Sequence, residues 1–139
     1  MKHWVFVLIG VSLLASLATG LTAEEKPASD QAELAARGKV LYRVYCRNCH
    51  GDAAKGGGPV AEYLTVEPTD LTVLAATNEG VYPTADVREV IDGREVRAHG
   101  YDDMPVWGDA FANTEDADEV EVRERIEALV AYLASIQEI

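Results

Sequence analysis

Apolar residues recur at helical spacing in the first part of the chain after residue 29. Asp30 can cap free backbone N–H groups, and Glu33, three residues later, can reciprocate. The apolar positions of this stretch share one side of a helix and are Leu34, Leu41, Tyr42 and Tyr45. The pattern therefore predicts a helix that begins at Asp30 and runs into Cys46.

Two further helices are predicted by the same periodicity. Thr84 can cap the first of them and Gly93 marks its end. The second runs from about Asp116 to Gln137, with acidic residues at its start that complement the helix dipole. The apolar stripes are Val87, Val90 and Ile91 in the first, and Val122, Ile126, Leu129, Val130, Leu133 and Ile136 in the second.

Glycine and proline indicate loops between these helices. A glycine-rich loop covers 51–59, a helical turn follows at about 60–64, and 65–72 is extended. Another loop is predicted from Arg94 to about Asn113. No alternating strand pattern and no internal repeat is present, so the predicted fold class is all-α.

The first 23 residues have the three parts of a secretory signal. Lys2 supplies the basic start, an apolar run covers 4–17, and small residues follow, so that cleavage after Gly20 or Ala23 is expected. An uncleaved membrane anchor is the alternative, although serine, threonine and glycine make the stretch weak for a permanent span. The predicted organisation is a signal at 1–23, a linker at 24–29 and one domain at 30–139, exported to the periplasm.

The chain is strongly acidic. Without Lys2 it has 11 basic and 24 acidic residues, a net charge of −13. This charge argues against nucleic acid as a partner, because phosphate binding needs a basic face. It serves either to keep the protein soluble or to steer it toward a partner with a basic docking patch. Membrane contact is expected only through a partner complex or an uncleaved anchor.

The two cysteines and a histidine form the sequence Cys46-Arg47-Asn48-Cys49-His50. This C-x-x-C-H spacing is the attachment signature of one covalent haem c. Thiols one helical turn apart can reach both vinyl groups, and the adjacent histidine can then reach the iron. A redox dithiol needs its reactive thiolate at a helix N-terminus and a βαβ pattern. A structural zinc site would have to use Cys46, Cys49, His50 and His99 together.

On these residues the chain resembles the class I c-type cytochromes, which are small helical single-haem electron carriers. The resemblance extends over the whole mature chain. Gly38 and Tyr42 are similar to the small and aromatic residues of the family's N-terminal helix, and Leu129 and Tyr132 to their partners on the C-terminal helix. It implies a cytochrome c fold of three to five helices around one haem c, in which those two helices cross closely.

The resemblance also implies the remaining haem contacts. Gly57-Gly58-Pro59 is similar to the family's turn in which the proline carbonyl orients the proximal histidine, here His50. Met104-Pro105-Val106-Trp107-Gly108 looks like the distal-ligand loop, so Met104 is expected to bind the iron opposite His50. Trp107 either packs on the haem or fills the core. His99 is the competing distal ligand, and Arg94 and Arg97 are interpreted as solvated charges.

With both axial positions filled, the iron has no open site for a substrate. The implied function is that of a single-electron carrier, not an enzyme, between respiratory or photosynthetic redox partners. One alternative is a haem subunit permanently attached to a periplasmic oxidoreductase. Another is a haem gas sensor or peroxidase-like enzyme, which carbon monoxide binding to the reduced protein would reveal.

Overall fold

A computed structural model describes residues 28–95, 104–114 and 117–138. These residues contain α-helices and one 3-10 turn but no strand, which confirms the all-α prediction. The elements are α1 (Ala28–Tyr45), α2 (Arg47–His50), the 3-10 turn (Ala61–Tyr63), α3 (Thr84–Asp92), α4 (Trp107–Ala112) and α5 (Glu119–Ser135). Among these described helices, none has the length and apolar character needed to span a membrane.

The crossing of α1 and α5 is the centre of the fold. A Cβ atom added at Gly38 would overlap the carbonyl oxygen of Ala128 and lie 2.7 Å from Cβ of Tyr132. The rings of Tyr42 and Tyr132 pack beside this point, with their centroids 5.2 Å apart. The absence of a side chain at residue 38 therefore allows the two helices to touch, as the resemblance implies.

The core forms on the inner faces of α1, α3, α4 and α5. Tyr42 and Phe111 are each 1% exposed, and Val122 is fully buried. The predicted apolar face of α5 is buried as expected, except that Ile136 is half-buried beyond the helix end. Asp118 caps α5 by accepting hydrogen bonds from the amides of Val120 and Glu121. Helix α5 is thus a few residues shorter than predicted at each end.

Three sequence predictions about boundaries are wrong. Asp30 lies inside α1, which begins at Ala28, so Asp30 does not cap it. Thr84 is the first residue of α3 and not its cap, because the capping position is Pro83. The predicted loop from Arg94 to Asn113 contains α4, whose Phe111 is buried against the core. A six-residue helix is too short for its periodicity to be recognised in the sequence.

Two side chains tie distant elements together. Gln137 donates to the carbonyl oxygens of Leu71 and Leu133 and accepts from the amide of Ala75, each at 2.8 Å. Arg94 donates to Asp92 at 2.7 Å and to Glu119 at 2.9 Å. Gln137 therefore fixes the loop after residue 70 on α5, and Arg94 joins the end of α3 to the start of α5.

Candidate functional site

A cavity of about 590 Å³ lies between α1, α2, α3, α5 and the loop that follows the 3-10 turn. Its wall is mainly apolar, and two acidic residues, Glu67 and Asp86, also line it. The volume falls in the range of roughly 300–1,000 Å³ that is usual for small-molecule and cofactor sites. The aliphatic residues of the wall are Val60, Leu64, Val66, Leu71, Leu74, Val87, Val90, Ile91, Leu129 and Leu133.

The C-x-x-C-H motif forms one side of this cavity. Cys46 lies at the N-cap of α2, and Cys49 and His50 belong to that single helical turn. The amide of His50 donates to the carbonyl oxygen of Cys46 at 2.9 Å. Because one turn returns the chain to the same side of the helix, both thiols and the imidazole line one cavity.

The position of Cys46 sets two electrostatic effects against each other. An N-cap position lowers the pKa of a thiol through the helix dipole, which is the arrangement that a redox dithiol needs. The sequence places the cysteines after a helix and does not predict the short α2 that Cys46 begins. Burial nevertheless dominates, together with the neighbouring Cys49, and raises the pKa of the Cys46 thiol to about 12. Cys46 is therefore a neutral thiol at physiological pH, unlike the activated thiolate of a dithiol oxidoreductase.

The glycine-rich loop folds back onto α2. Gly51 ends α2 with a φ of +78°, and the amide of Gly58 donates to the carbonyl oxygen of Cys49 at 3.0 Å. A Cβ atom at residue 58 would overlap the carbonyl of Asn48, so only glycine fits against this turn. The buried hydroxyl of Tyr42 donates to the carbonyl oxygen of Gly51 at 2.6 Å. The loop and α1 together hold the motif in place.

The structure gives His50 an acceptor that the sequence does not predict. Nδ1 of His50 lies 3.3 Å from the carbonyl oxygen of Thr69. Donation from Nδ1 to a backbone carbonyl leaves Nε2 available to bind a metal. Pro59, the acceptor that the resemblance implies, is exposed and is not among the residues that line the cavity. Its role toward His50 stays a prediction.

Met104 and Trp107 also line the cavity, together with Pro105. Met104 is half-buried. Trp107 is half-buried as well, and its ring packs 5.4 Å from Tyr45 and 5.5 Å from Phe111 between ring centroids. Trp107 therefore lines the cavity and packs against aromatic residues of the core, and its contact with the haem stays a prediction.

Two of the competing residues, His99 and Arg97, lie outside the described residues. Arg94 does not line the cavity but is engaged by Asp92 and Glu119, and these ion pairs raise its pKa. Among the described residues, no cluster of three or more His, Cys, Asp and Glu side chains could hold a metal ion. The zinc alternative includes His99 and is therefore not tested by the described residues.

Sequence reasoning missed the cavity wall between residues 69 and 75. The segment supplies the Thr69 carbonyl for His50 and the side chains of Leu71 and Leu74, and Gln137 holds it from 62 to 66 residues away. Its only sequence signal is a short run of apolar residues, which are Leu71, Val73, Leu74 and Ala75, at and beyond the end of the stretch predicted as extended loop. Because Gln137 is so far from this segment in sequence, its hydrogen bonds to the segment produce no local sequence pattern.

The residues around the cavity fit a haem. Two thiols, an imidazole and a thioether line the cavity, and aliphatic side chains make up much of the remaining wall. The thioether and imidazole are ligands that haem iron accepts, and the thiols have the spacing for covalent attachment. Aliphatic walls suit the faces of a large apolar ring.

Comparison with known proteins gives one match. A family model described as "Cytochrome C oxidase, cbb3-type, subunit III" matches residues 33–133. No curated protein and no solved structure matches the chain. The matched range begins in α1, ends in α5 and contains every cavity-lining residue named above.

Proposed function

The chain belongs to this family of c-type cytochromes, whose model covers more than half of it, and on that premise we propose that it carries single electrons through one haem c. Family membership confirms the class I resemblance and the cytochrome c fold, and it makes haem-based electron transfer the general activity. One observation supports the specific proposal. Cys46, Cys49, His50 and Met104 all line a single apolar cavity.

Different residues of the cavity would hold the cofactor in different ways. Cys46 and Cys49 would attach it through two thioether bonds, and His50 and Met104 would bind its iron. The Thr69 carbonyl, 3.3 Å from Nδ1 of His50, fixes the ring orientation and increases the basicity of the ligating nitrogen. When bound, the haem supplies one-electron chemistry as its iron alternates between the ferrous and ferric states.

The environment of the cavity favours electron transfer over catalysis. Two protein ligands leave no open position for a substrate or for oxygen. The aliphatic wall excludes water and disfavours the more highly charged ferric state, and a thioether ligand acts in the same direction. The protein would therefore exchange electrons with redox proteins at a potential above that of a bis-histidine site.

A second function is supported by the description of the matching family, which names a subunit of an oxidase. In that case the chain would be a permanently attached haem subunit of a membrane or periplasmic oxidoreductase. Co-purification with a catalytic partner from native membranes would distinguish it from a freely diffusing carrier. Both functions place the mature chain in the periplasm, after export by the predicted signal at residues 1–23.

Covalent attachment is tested by acid-acetone extraction of the exported protein. We expect one haem per chain to remain with the polypeptide, because thioether bonds survive this treatment. The double variant Cys46→Ala/Cys49→Ala should lose the haem and yield a largely unfolded apoprotein, since the cofactor fills the core of a short chain. Asn48→Ala, within the same motif, is the matched control and should retain its haem. Extraction of the haem from the native protein would refute the proposal.

A further inference from the structure

The outward side of α1 carries two valines that contribute nothing to the core. Val40 is 62% exposed and Val44 is 60% exposed, and they lie one helical turn apart. Lys39 and Arg43 are exposed on the same helix next to them. We call these four residues the α1 outer face. The opposite side of α1 is the one that Gly38 and Tyr42 bury against α5.

The charge of this segment is opposite to that of the molecule. Residues 34–51 contain four basic residues and no acidic one, whereas the whole chain has a net charge of −12. Arg37 pairs with Glu124 at 3.8 Å, and Arg47 pairs with Asp52 at 3.6 Å. Within the part of the chain that the structure describes, no ion pair forms at Lys39 or Arg43. Two uncompensated cations thus flank the valines.

Helix formation alone does not account for this composition. Valine is a poorer helix former than alanine, lysine or glutamate, so an exposed helix surface gains nothing from it. Single exposed apolar residues are common on soluble proteins, but this pair is adjacent and bordered by charge. An apolar centre with a charged border is the anatomy of a protein–protein interface.

We propose that the α1 outer face docks on an acidic surface of a partner protein. Carboxylates of the partner meet Lys39 and Arg43, and an apolar patch covers Val40 and Val44. A partner protein fits better than an anionic bilayer, because two valines bury too little apolar area to hold a helix in lipid. It also fits better than a second copy paired through the same face, since two-fold symmetry would place Lys39 and Arg43 of one copy near the same cations of the other.

The docked state leaves the haem cavity free. Neither valine lines the cavity, whereas Tyr42 and Tyr45, on other sides of α1, do. One partner can therefore hold the chain by α1 while another exchanges electrons elsewhere on the surface. This inference goes beyond the proposed function and does not depend on which residues ligate the iron.

Zero-length carbodiimide coupling tests the carboxylate contact directly, because it joins a lysine amine to a carboxylate that touches it. Holoprotein is treated in membrane and soluble extracts of its native cells, and the coupled peptides are identified by mass spectrometry. We expect Lys39 to couple to an Asp or Glu of one other protein. Lys55, which lies 2.5 Å from Glu138, supplies an internal coupling within the same chain as a positive control. Lys39→Arg should lose the foreign coupling but bind the purified partner with unchanged affinity.

Affinity for the purified partner tests the face as a whole. Arg43→Glu/Val44→Glu should raise the dissociation constant at least tenfold, because it reverses a charge and places a carboxylate in the apolar centre. Val81→Glu is the matched control, since Val81 is 65% exposed but lies outside the face, and it should change affinity less than threefold. All variants should keep the native haem spectrum and reduction potential, so failure of docking is distinguishable from failure of haem binding.

Four outcomes would overturn the proposal. Absence of any foreign coupling at Lys39, or equal affinities for the charge-reversed variant and the control, would show that the α1 outer face is not a docking surface. Coupling of Lys39 to a second copy of this chain would show that the occupant is another copy. Sedimentation of the wild type, but not of the charge-reversed variant, with vesicles of anionic phospholipid would show that the occupant is a membrane surface.

Discussion

Met104 has a side chain that stays uncharged at every pH, and this separates it chemically from His99 as a second axial ligand. A histidine must remain deprotonated to bind iron, so it is the costlier ligand in acid. Met104 lines the cavity with Pro105 and Trp107 beside it. Its thioether would thus bind the iron without a titration of its own.

Met104→Ala should open the iron. We expect the weak far-red charge-transfer band of the oxidised protein to disappear, the reduction potential to fall and the reduced protein to bind carbon monoxide at neutral pH. Absorption spectroscopy and redox titration measure all three.

His99→Ala is the matched control and should leave these properties nearly unchanged. Survival of the band in Met104→Ala, or an open iron in His99→Ala, would reverse the assignment. Carbon monoxide binding to the wild type at neutral pH would instead favour the gas-sensor alternative.

At the scale of elements, the fold depends on how closely α1 approaches α5. Backbone atoms of α5 occupy the space where a side chain at residue 38 would begin. Helices can be this close only where one of them carries glycine, even though glycine lowers helix propensity. The interior of α1 therefore gives up local helix stability for a tertiary contact.

Gly38→Ala should destabilise the protein by about 1–2 kcal/mol, because an overpacking cost near the upper end of about 1–3 kcal/mol outweighs the roughly 1 kcal/mol that alanine adds to helix propensity. Urea unfolding of the holoprotein, followed by the haem absorbance, measures the change. Ala36→Gly, on the exposed side of the same helix, should cost about 1 kcal/mol through propensity alone. A stabilised Gly38→Ala variant would show that the crossing is looser than described.

The link between α3 and α5 is electrostatic. Asp92 is the last residue of α3, where a carboxylate is unfavourable to the helix dipole. Hydrogen bonds from Arg94 nevertheless lower the pKa of Asp92 below its ordinary value. The net environment thus favours the carboxylate, and Arg94 also reaches Glu119 at the start of α5.

Asp92→Asn should therefore destabilise the protein in a pH-dependent way. Because the folded-state pKa of Asp92 is lowered, its contribution is complete above the ordinary carboxyl pKa of about 3.9 and disappears as the pH falls through the folded value. We expect a loss on the order of 1 kcal/mol at pH 7 that shrinks progressively as the pH falls below about 3.9. Urea unfolding at pH 7 and at pH 3 measures the change.

Glu62→Gln removes an exposed carboxylate for which no ion pair is found within the described residues, so it controls for the change in net charge. Its stability relative to the wild type should vary less with pH. An Asp92→Asn difference that stays constant from pH 7 to pH 3 would contradict the ion-pair explanation.

At the scale of the whole molecule, the acidic charge is unevenly distributed. The first turn of α5 contains Glu119 and Glu121, whereas the second half of α1 is basic. Glu67 and Asp86 line the cavity itself. If this acidity steers electron transfer, it acts on a partner with a basic surface, different from the acidic partner inferred for α1.

Electron transfer to a basic redox partner should slow as ionic strength rises from about 0.01 M to about 0.15 M, because the Debye length shrinks from about 30 Å to about 8 Å. Stopped-flow rates at low protein concentration measure the effect. A small uncharged reductant is the control and should react at a rate nearly independent of salt. A partner rate that is flat in salt would leave solubility as the role of the charge.

The sequence alone determined the features that are encoded within a few residues of one another. The C-x-x-C-H motif, the long apolar stripes of α1 and α5 and the helix end at Gly93 all follow from local spacing and local backbone chemistry. The resemblance added Gly38 and the loop around Met104. Both predictions could be made because a short motif specifies its own geometry.

Only the tertiary structure decided how these pieces meet. Three features depend on contacts between residues far apart in sequence. They are the position of the Thr69 carbonyl near His50, the hydrogen bonds from Gln137 to the loop that carries Leu71 and Leu74, and the helix around Phe111. Such contacts produce no periodic pattern in the sequence, because the residue type of each partner is determined by a distant residue and not by its sequence neighbours. The exposure of Val40 and Val44 is of the same kind, since an apolar residue on a helix is assigned to the core or to a partner only by the packing of its neighbours.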